Sequence, residues 1–179
     1  MKNWKNTSNT PKPSTWYGKT YRFLSYIACS GFGVGYFPVA SGTAGSLVTL
    51  PLAFIIAYYF GALGILYSAI IIFFIGYFAS KEVLKYTAHD PAIIIIDEVV
   101  GQLLAFIFVG DLLIHNLNAW WIYVVGFVLF RIFDITKPQP AKWADTKLVS
   151  AWGVMLDDVF AGLYAGAILY LIKTYTNIL

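Results

Sequence analysis

The sequence predicts an all-α fold: a polytopic membrane helical bundle with about five membrane-embedded helices, some short or broken, behind a short N-terminal amphipathic or disordered segment. Three observations predict it. Charged residues make up 12% of the chain and hydrophobic ones 59%, with a mean hydropathy of +0.71. Soluble domains carry roughly 25% charged residues, so lipid replaces water as the solvent for much of this surface. The apolar residues also gather into separate segments of near-span length, and the positive charges alternate from one connecting loop to the next, as membrane topology requires.

Residues 1–22 read as a basic tail. Lys2, Lys5, Lys12, Lys19 and Arg22 lie among Asn, Thr, Ser and Pro, without the apolar core of a signal peptide and well placed to touch anionic lipid. Residues 23–179 then form a single membrane-embedded domain with no repeat of solenoid length. The net charge of +3 is too small and too scattered for nucleic acid to be a partner. Cys29 is the only cysteine, which excludes an internal disulfide or a thiolate metal cluster; it reads as a small apolar residue.

The first apolar segment, 44–60, follows Gly31-Phe-Gly-Val-Gly-Tyr-Phe-Pro38 and Ser41-Gly-Thr-Ala-Gly-Ser46. Backbone N–H groups exposed at a helix start can bind phosphate, which makes Thr43 and Ser46 candidate substrate contacts; a tight re-entrant turn accounts for the glycines equally well. The second segment is 62–79. The third, 93–114, is interrupted by Asp97-Glu98. The fourth, 119–135, opens on Trp120, Trp121 and Tyr123, which suit an outer interfacial belt. The fifth, 157–172, starts on Asp157-Asp158, and its Ala161, Gly162, Ala165 and Gly166 give it a small-residue face for close helix packing. A crossing helix needs about 20 residues, so several segments must borrow polar flanks that face protein or a water-filled cavity.

Charge sets the orientation. The tail, the 80–92 loop (Lys81, Lys85) and the 136–156 loop (Lys137, Lys142, Lys147) hold lysine or arginine, whereas the 60–62 and 110–118 junctions hold none. With the N-terminus inside, every basic connection is cytoplasmic; Lys173 alone breaks the pattern.

Of the nine acidic residues, Asp90, Asp97, Glu98, Asp134, Asp157 and Asp158 lie in or beside apolar segments. An aspartate at the centre of an inserted helix costs about 2.5–3.5 kcal/mol, and this topology brings all six to the cytoplasmic ends of their helices. Asp90, followed by Pro91, fits a helix N-cap, and on a continuous helix it would share a face with Asp97 to within about 20°. Arg131 and Asp134 stand at i,i+3 and can pair with each other; Asp97 and Glu98 can pair with Arg131 or Lys137. Asp157-Asp158 at a helix start is favoured by the helix dipole. Carboxylates from three helix ends nevertheless repel unless a cation sits between them, and an all-oxygen donor set suits Mg²⁺ or Mn²⁺ rather than Zn²⁺. Lys137, before Pro138 and Pro140, stands at the cytoplasmic edge free to meet an anion. His89 adjoins the acids as a candidate proton-transfer group, while His115 lies in an outer loop.

Together these motifs resemble the phosphatidylglycerophosphatase A family. The resemblance rests on the glycine-rich run from Gly35 to Leu47, on His89-Asp90-Pro91 with Asp97-Glu98 and Gly101, on Phe130-Arg131, Phe133-Asp134 and Lys137-Pro138 with Pro140, and on Gly153 to Leu156 with Asp157-Asp158, Ala161 and Gly162. It implies Mg²⁺-dependent hydrolysis of the terminal phosphate of phosphatidylglycerophosphate to phosphatidylglycerol and phosphate, in phospholipid biosynthesis at the cytoplasmic face of a bacterial inner membrane. On that expectation Asp90, Asp97, Glu98, Asp134, Asp157 and Asp158 are candidate metal ligands. Asp97, Asp157, Asp158, His89 and Lys137 are candidate catalytic residues, and Arg131, Lys137, Thr43 and Ser46 would meet the substrate. The competing expectations are a small cation transporter, or a non-catalytic membrane protein with a carboxylate-lined metal site.

Overall fold

The computed structural model describes residues 15–87, 91–112 and 120–176, and among these it is all-helical. Six α-helices follow in order: α1 Trp16–Cys29, α2 Ser41–Val83, α3 Ile96–Ala105, α4 Trp120–Thr136, α5 Ala141–Lys147 and α6 Ala151–Thr176, with a single 3₁₀ turn at Val34–Tyr36 between α1 and α2. Two of them, Ser41–Val83 and the span Ala151–Tyr175 within α6, are long and apolar enough to cross a membrane, with mean hydropathies of 2.2 and 1.6.

α2 is a hairpin rather than one rod. Gly61 breaks it with φ 63° and ψ −162°, a backbone conformation in which a side chain is strained. A Cβ on Gly45 would lie 3.1 Å from the Cβ of Ile95, and one on Gly76 would lie 3.0 Å from Cγ2 of the adjacent Ile96. On a straight helix those two glycines would stand roughly 46 Å apart. The arms 41–60 and 62–83 therefore run antiparallel, and they match the first two apolar segments of the sequence.

α3 departs from expectation. The third apolar segment, 93–114, forms a helix of 10 residues, about 15 Å long, followed by turns through Gly110. Gly110 packs against the Ala62 backbone, at 2.8 Å from the Cα for a built Cβ, so at residue 110 the chain has reached the hairpin bend. It begins in the interior, with Ile94, Ile95 and Ile96 buried. The Ile95 N–H donates to the Cys29 carbonyl at 2.9 Å, and the Ser41 hydroxyl donates to the Ala92 carbonyl at 2.6 Å. These bonds tie α1 and the start of α2 to the lead-in of α3.

α1 starts at Trp16 with Thr15 as its N-cap, inside the stretch 1–22 assigned above to a tail. Its anchor is the arm 62–83: the Tyr21 hydroxyl donates to the Phe78 carbonyl, Cys29 lies 3.6 Å from Ser80, and the Arg22 guanidinium covers the Tyr86 ring. Trp16, Tyr17, Phe23 and Leu24 remain exposed, the amphipathic pattern of an interfacial helix.

α6 is longer than its predicted counterpart, starting six residues before Asp157. Asp157 and Asp158 thus sit well inside a helix rather than at its first turn, and the helix-dipole account of them does not apply. Gly101 of α3 and Gly162 of α6 meet backbone to backbone, with 3.0 Å from the Gly101 Cα to a built Cβ on Gly162. Ala161 and Ala165 on the same small-residue face are fully buried.

A candidate metal and phosphate site

Four elements converge on one end of the bundle: the start of α2, the start of α3, the last two turns of α4 and the third turn of α6. Asp97 and Glu98 open α3. The close α3–α6 crossing sets Asp158 beside them, its carbonyl oxygen 2.7 Å from where a Cβ on Gly101 would lie. Carboxylate oxygens of Asp97, Glu98 and Asp158 all fall within 4.8 Å of one another. Asp97 and Asp158 are buried, and none of the three makes an ion pair among the described residues. Like charges gathered this closely away from water repel strongly, and the donor set is entirely hard oxygen. The residues present therefore fit a metal ion that takes oxygen ligands.

Arg131 flanks the cluster. Its Nη1 lies 2.7 Å from Asp134 Oδ2, the i,i+3 pairing the spacing allowed. Nε has no hydrogen-bond partner among the described residues, and neither does Glu98 Oε2. Glu98 and Arg131 meet at Gly42: a Cβ there would overlap Glu98 Oε1 and lie 3.3 Å from Arg131 Nη1. The first turn of α2 therefore touches the site. Its cap is Ala40 in a left-handed conformation, with no side-chain hydrogen bond. Backbone N–H groups in such a first turn have no partner within the helix. Ser46 is turned inward and donates to the Gly42 carbonyl at 3.0 Å, and Thr43 lies one residue beyond Gly42 at partial exposure.

Lys137 is not the free cation the proline-flanked loop suggested. Its Nζ is 2.8 Å from Asp145 Oδ1 and 2.7 Å from Asp157 Oδ2, joining the loop after α4 to α5 and α6. Burial opposes its charge, but the hydrogen bonds to Asp145 and Asp157 outweigh burial and raise its pKa above the usual lysine range. The remaining Asp157 oxygen accepts the Asp158 N–H at 3.0 Å. Asp157 is thus held by Lys137 beside the three-carboxylate cluster, and Asp134 is held by Arg131.

Two participants were not found from sequence. Asp145 enters through Lys137 from the short helix α5, whose position depends on the turn around Pro138 and Pro140. Gln102, four residues after Glu98, is fully buried with both amide atoms unpartnered; a lone polar residue in an apolar stretch was its only signal. His89 and Asp90 lie outside the described residues.

Beside the acids, an apolar groove of about 260 Å³ runs between the arm 62–83, α3 and α6, lined by Ala69, Phe73, Val100, Leu104, Val159 and Leu163 among others. Asp97, Val100 and Leu104 share one stripe of α3, so this groove leads away from the carboxylates along the same helix face.

A family model described as phosphatidylglycerophosphatase A matches residues 27–173. A phosphatidylglycerophosphatase A of Escherichia coli (strain K12) is 32% identical over 150 residues, covering 82% of both chains. One of Haemophilus influenzae is 35% identical over 149 residues, covering 83% of this chain and 88% of its own. A third relative, from Bacteroides thetaiotaomicron, is 34% identical over 149 residues, covering 80% of this chain and 89% of its own, and is named, provisionally, a phosphatidylinositol-3-phosphatase. No solved structure matches.

Proposed function

The chain belongs to the phosphatidylglycerophosphatase A family, and from that premise we propose that it hydrolyses the terminal phosphomonoester of phosphatidylglycerophosphate, giving phosphatidylglycerol and inorganic phosphate, with Mg²⁺ as cofactor and as a step of phospholipid biosynthesis. The observation that carries the reading is the meeting of Asp97, Glu98 and Asp158 within 4.8 Å, two of them buried, without a paired cation among the described residues.

These three carboxylates would hold the metal. When bound, it supplies charge neutralisation for the phosphate dianion and acidifies water. Arg131, held through Nη1 by Asp134, would offer its unpaired Nε–H to a phosphoryl oxygen, a charge-assisted contact. The free N–H groups at the start of α2, at Gly42 and Thr43, add a second anion contact; Ser46 supports that turn. Lys137 positions Asp157 next to Asp158 and offsets the negative charge of the site. Proton transfer is assigned to His89 or to a cluster carboxylate, and Asp90 would extend the acidic wall. The groove beside Val100 and Val159 would take an acyl chain, so the lipid arrives from the bilayer with its head group at the acids.

In the membrane we read the arms 41–60 and 62–83, α4 and α6 as crossing segments and α3 as a fifth, half-length embedded helix. The N-terminus and the site face the cytoplasm of a bacterial inner membrane. The supporting observation is that Lys81, Lys85, Lys137, Lys142 and Lys147 all belong to the site end of the bundle, as positive-inside orientation requires.

The decisive measurement is phosphate release by purified protein from phosphatidylglycerophosphate, phosphatidic acid and phosphatidylinositol 3-phosphate, with Mg²⁺ and with chelator. Mg²⁺-dependent release favouring the first substrate is expected. Metal transport into proteoliposomes without lipid turnover would overturn the reading.

A further inference from the structure

Gln102 has a role that the carboxylates and Arg131 leave unfilled. Its side chain is fully buried, yet neither Nε2 nor Oε1 has a hydrogen-bond partner among the described residues. An unpaired buried amide opposes folding, so its presence asks for a use. Gln102 stands four residues after Glu98 on α3, on the same face. Helical side chains lean back over the preceding turn, so the carboxamide covers the turn of Glu98, whose Oε2 is itself unpartnered. Glu98 in turn meets Arg131 at Gly42. Unpartnered polar atoms thus occur on Glu98, on Gln102 one helical turn after it, and on Arg131 beside Glu98.

The three groups differ in what they can bind. Carboxylates take a cation and a guanidinium takes an anion, whereas a neutral amide offers one acceptor and two donors. Its natural ligand is a small neutral molecule that both gives and accepts hydrogen bonds, which at a hydrolytic site is water. A glutamine also adds no further negative charge to an already crowded cluster.

We propose that Gln102 is a further catalytic residue whose carboxamide orients the water that attacks phosphorus, an assignment that rests on the phosphatase reading above. Oε1 accepts one hydrogen of that water and turns its lone pair toward the phosphorus. The water oxygen forms the new P–O bond as the ester P–O bond breaks, its electron pair leaving on the glycerol oxygen. One water proton passes through a cluster carboxylate to that oxygen, and the other stays on the released phosphate.

The test compares full-length wild type with Gln102→Leu and Gln102→Met, reading phosphate release against phosphatidylglycerophosphate concentration, Mn²⁺ binding by electron paramagnetic resonance, and thermal unfolding. Loss of a preorganised hydrogen bond to the reacting group predicts a kcat lower by about 10²-fold, with KM and Mn²⁺ affinity within about twofold of wild type. The unfolding temperature should hold or rise, because an apolar side chain removes unpaired buried polar atoms. Three outcomes overturn the assignment: near-wild-type kcat in folded variants, a parallel loss of Mn²⁺ affinity and kcat, or failure of both variants to fold. Absence of turnover by wild type under the same conditions would instead sink the phosphatase reading.

Discussion

Gly162 of α6 lies directly on the backbone of Gly101 of α3, so that a methyl group on Gly162 would overlap the Gly101 carbonyl oxygen and stand 3.0 Å from its Cα. This contact sets how closely the two helices cross, and the crossing brings Asp158 to Asp97 and Glu98. A backbone carbonyl cannot swing aside as a side chain can. Gly162→Ala is therefore expected to cost about 1–3 kcal/mol through overpacking. For a chain of this size that lowers the unfolding temperature by roughly 2–10 °C, and Mn²⁺ affinity should weaken with it. Thermal unfolding in micelles and metal titration check both; an unchanged protein would mean that the helices can separate freely.

Gly42→Ala should behave in the opposite way. Its new methyl group would overlap only Glu98 Oε1, the end of a flexible side chain, and alanine is the better helix former by about 0.5–1 kcal/mol. We expect stability to hold within about 1 kcal/mol while the displaced Glu98 lowers turnover by at least tenfold. Paired measurements of phosphate release and unfolding temperature separate the two effects.

Asp158→Asn keeps the shape of the side chain and removes one charge from the three-carboxylate cluster. Mn²⁺ affinity and Mg²⁺-supported turnover should both fall, by about 10²-fold or more. Chelator should silence the wild type reversibly. Asp145→Asn, whose ion pair to the site among the described residues is with Lys137, should leave metal binding close to wild type. Equal metal binding by wild type and Asp158→Asn would remove this residue from the site.

Lys137→Met leaves Asp145 and the buried Asp157 without their shared cation. Losing one partner of a largely buried charged hydrogen bond costs about 1–3 kcal/mol. The lysine is partly solvent-facing, so the lower half of that range is expected. Arginine at this position should restore stability more than activity, because its planar fork does not reproduce a point charge shared by two carboxylates. Denaturation and kinetics on the Met and Arg variants give the comparison.

Val159→Trp fills the apolar groove between the arm 62–83, α3 and α6. If an acyl chain lies there, KM for long-chain phosphatidylglycerophosphate should rise while turnover of a water-soluble short-chain analogue stays the same. A parallel change in both substrates would place the chain elsewhere.

Much of this was legible from sequence, for a physical reason. The break at residues 60–62 was visible because spans must end where apolar runs end, and Gly61 supplies the bend. A carboxylate group that could hold a metal ion was visible because carboxylates beside apolar segments are costly enough to need a purpose, and Ala161, Gly162, Ala165 and Gly166 announced a close helix contact. The length of α3 was not visible, since an apolar run reads alike whether it stays helical throughout or gives way to turns after 10 residues. Nor was the state of Lys137, which depends on how the loop through Pro138 and Pro140 brings Asp145 across from α5.

By itself, then, the sequence determined the helical, strongly apolar class through composition and periodicity, and the family through its motifs, because these are local properties of the chain. Only the tertiary structure decided how the acidic residues divide. Asp97, Glu98 and Asp158 form a cluster without paired cations among the described residues, Asp134 and Asp157 stand beside it paired with Arg131 and Lys137, and Gln102 is buried one turn beyond Glu98. That division follows from the distances set where α3 crosses α6 at two glycines, and a distance between helices is written in no single stretch of chain.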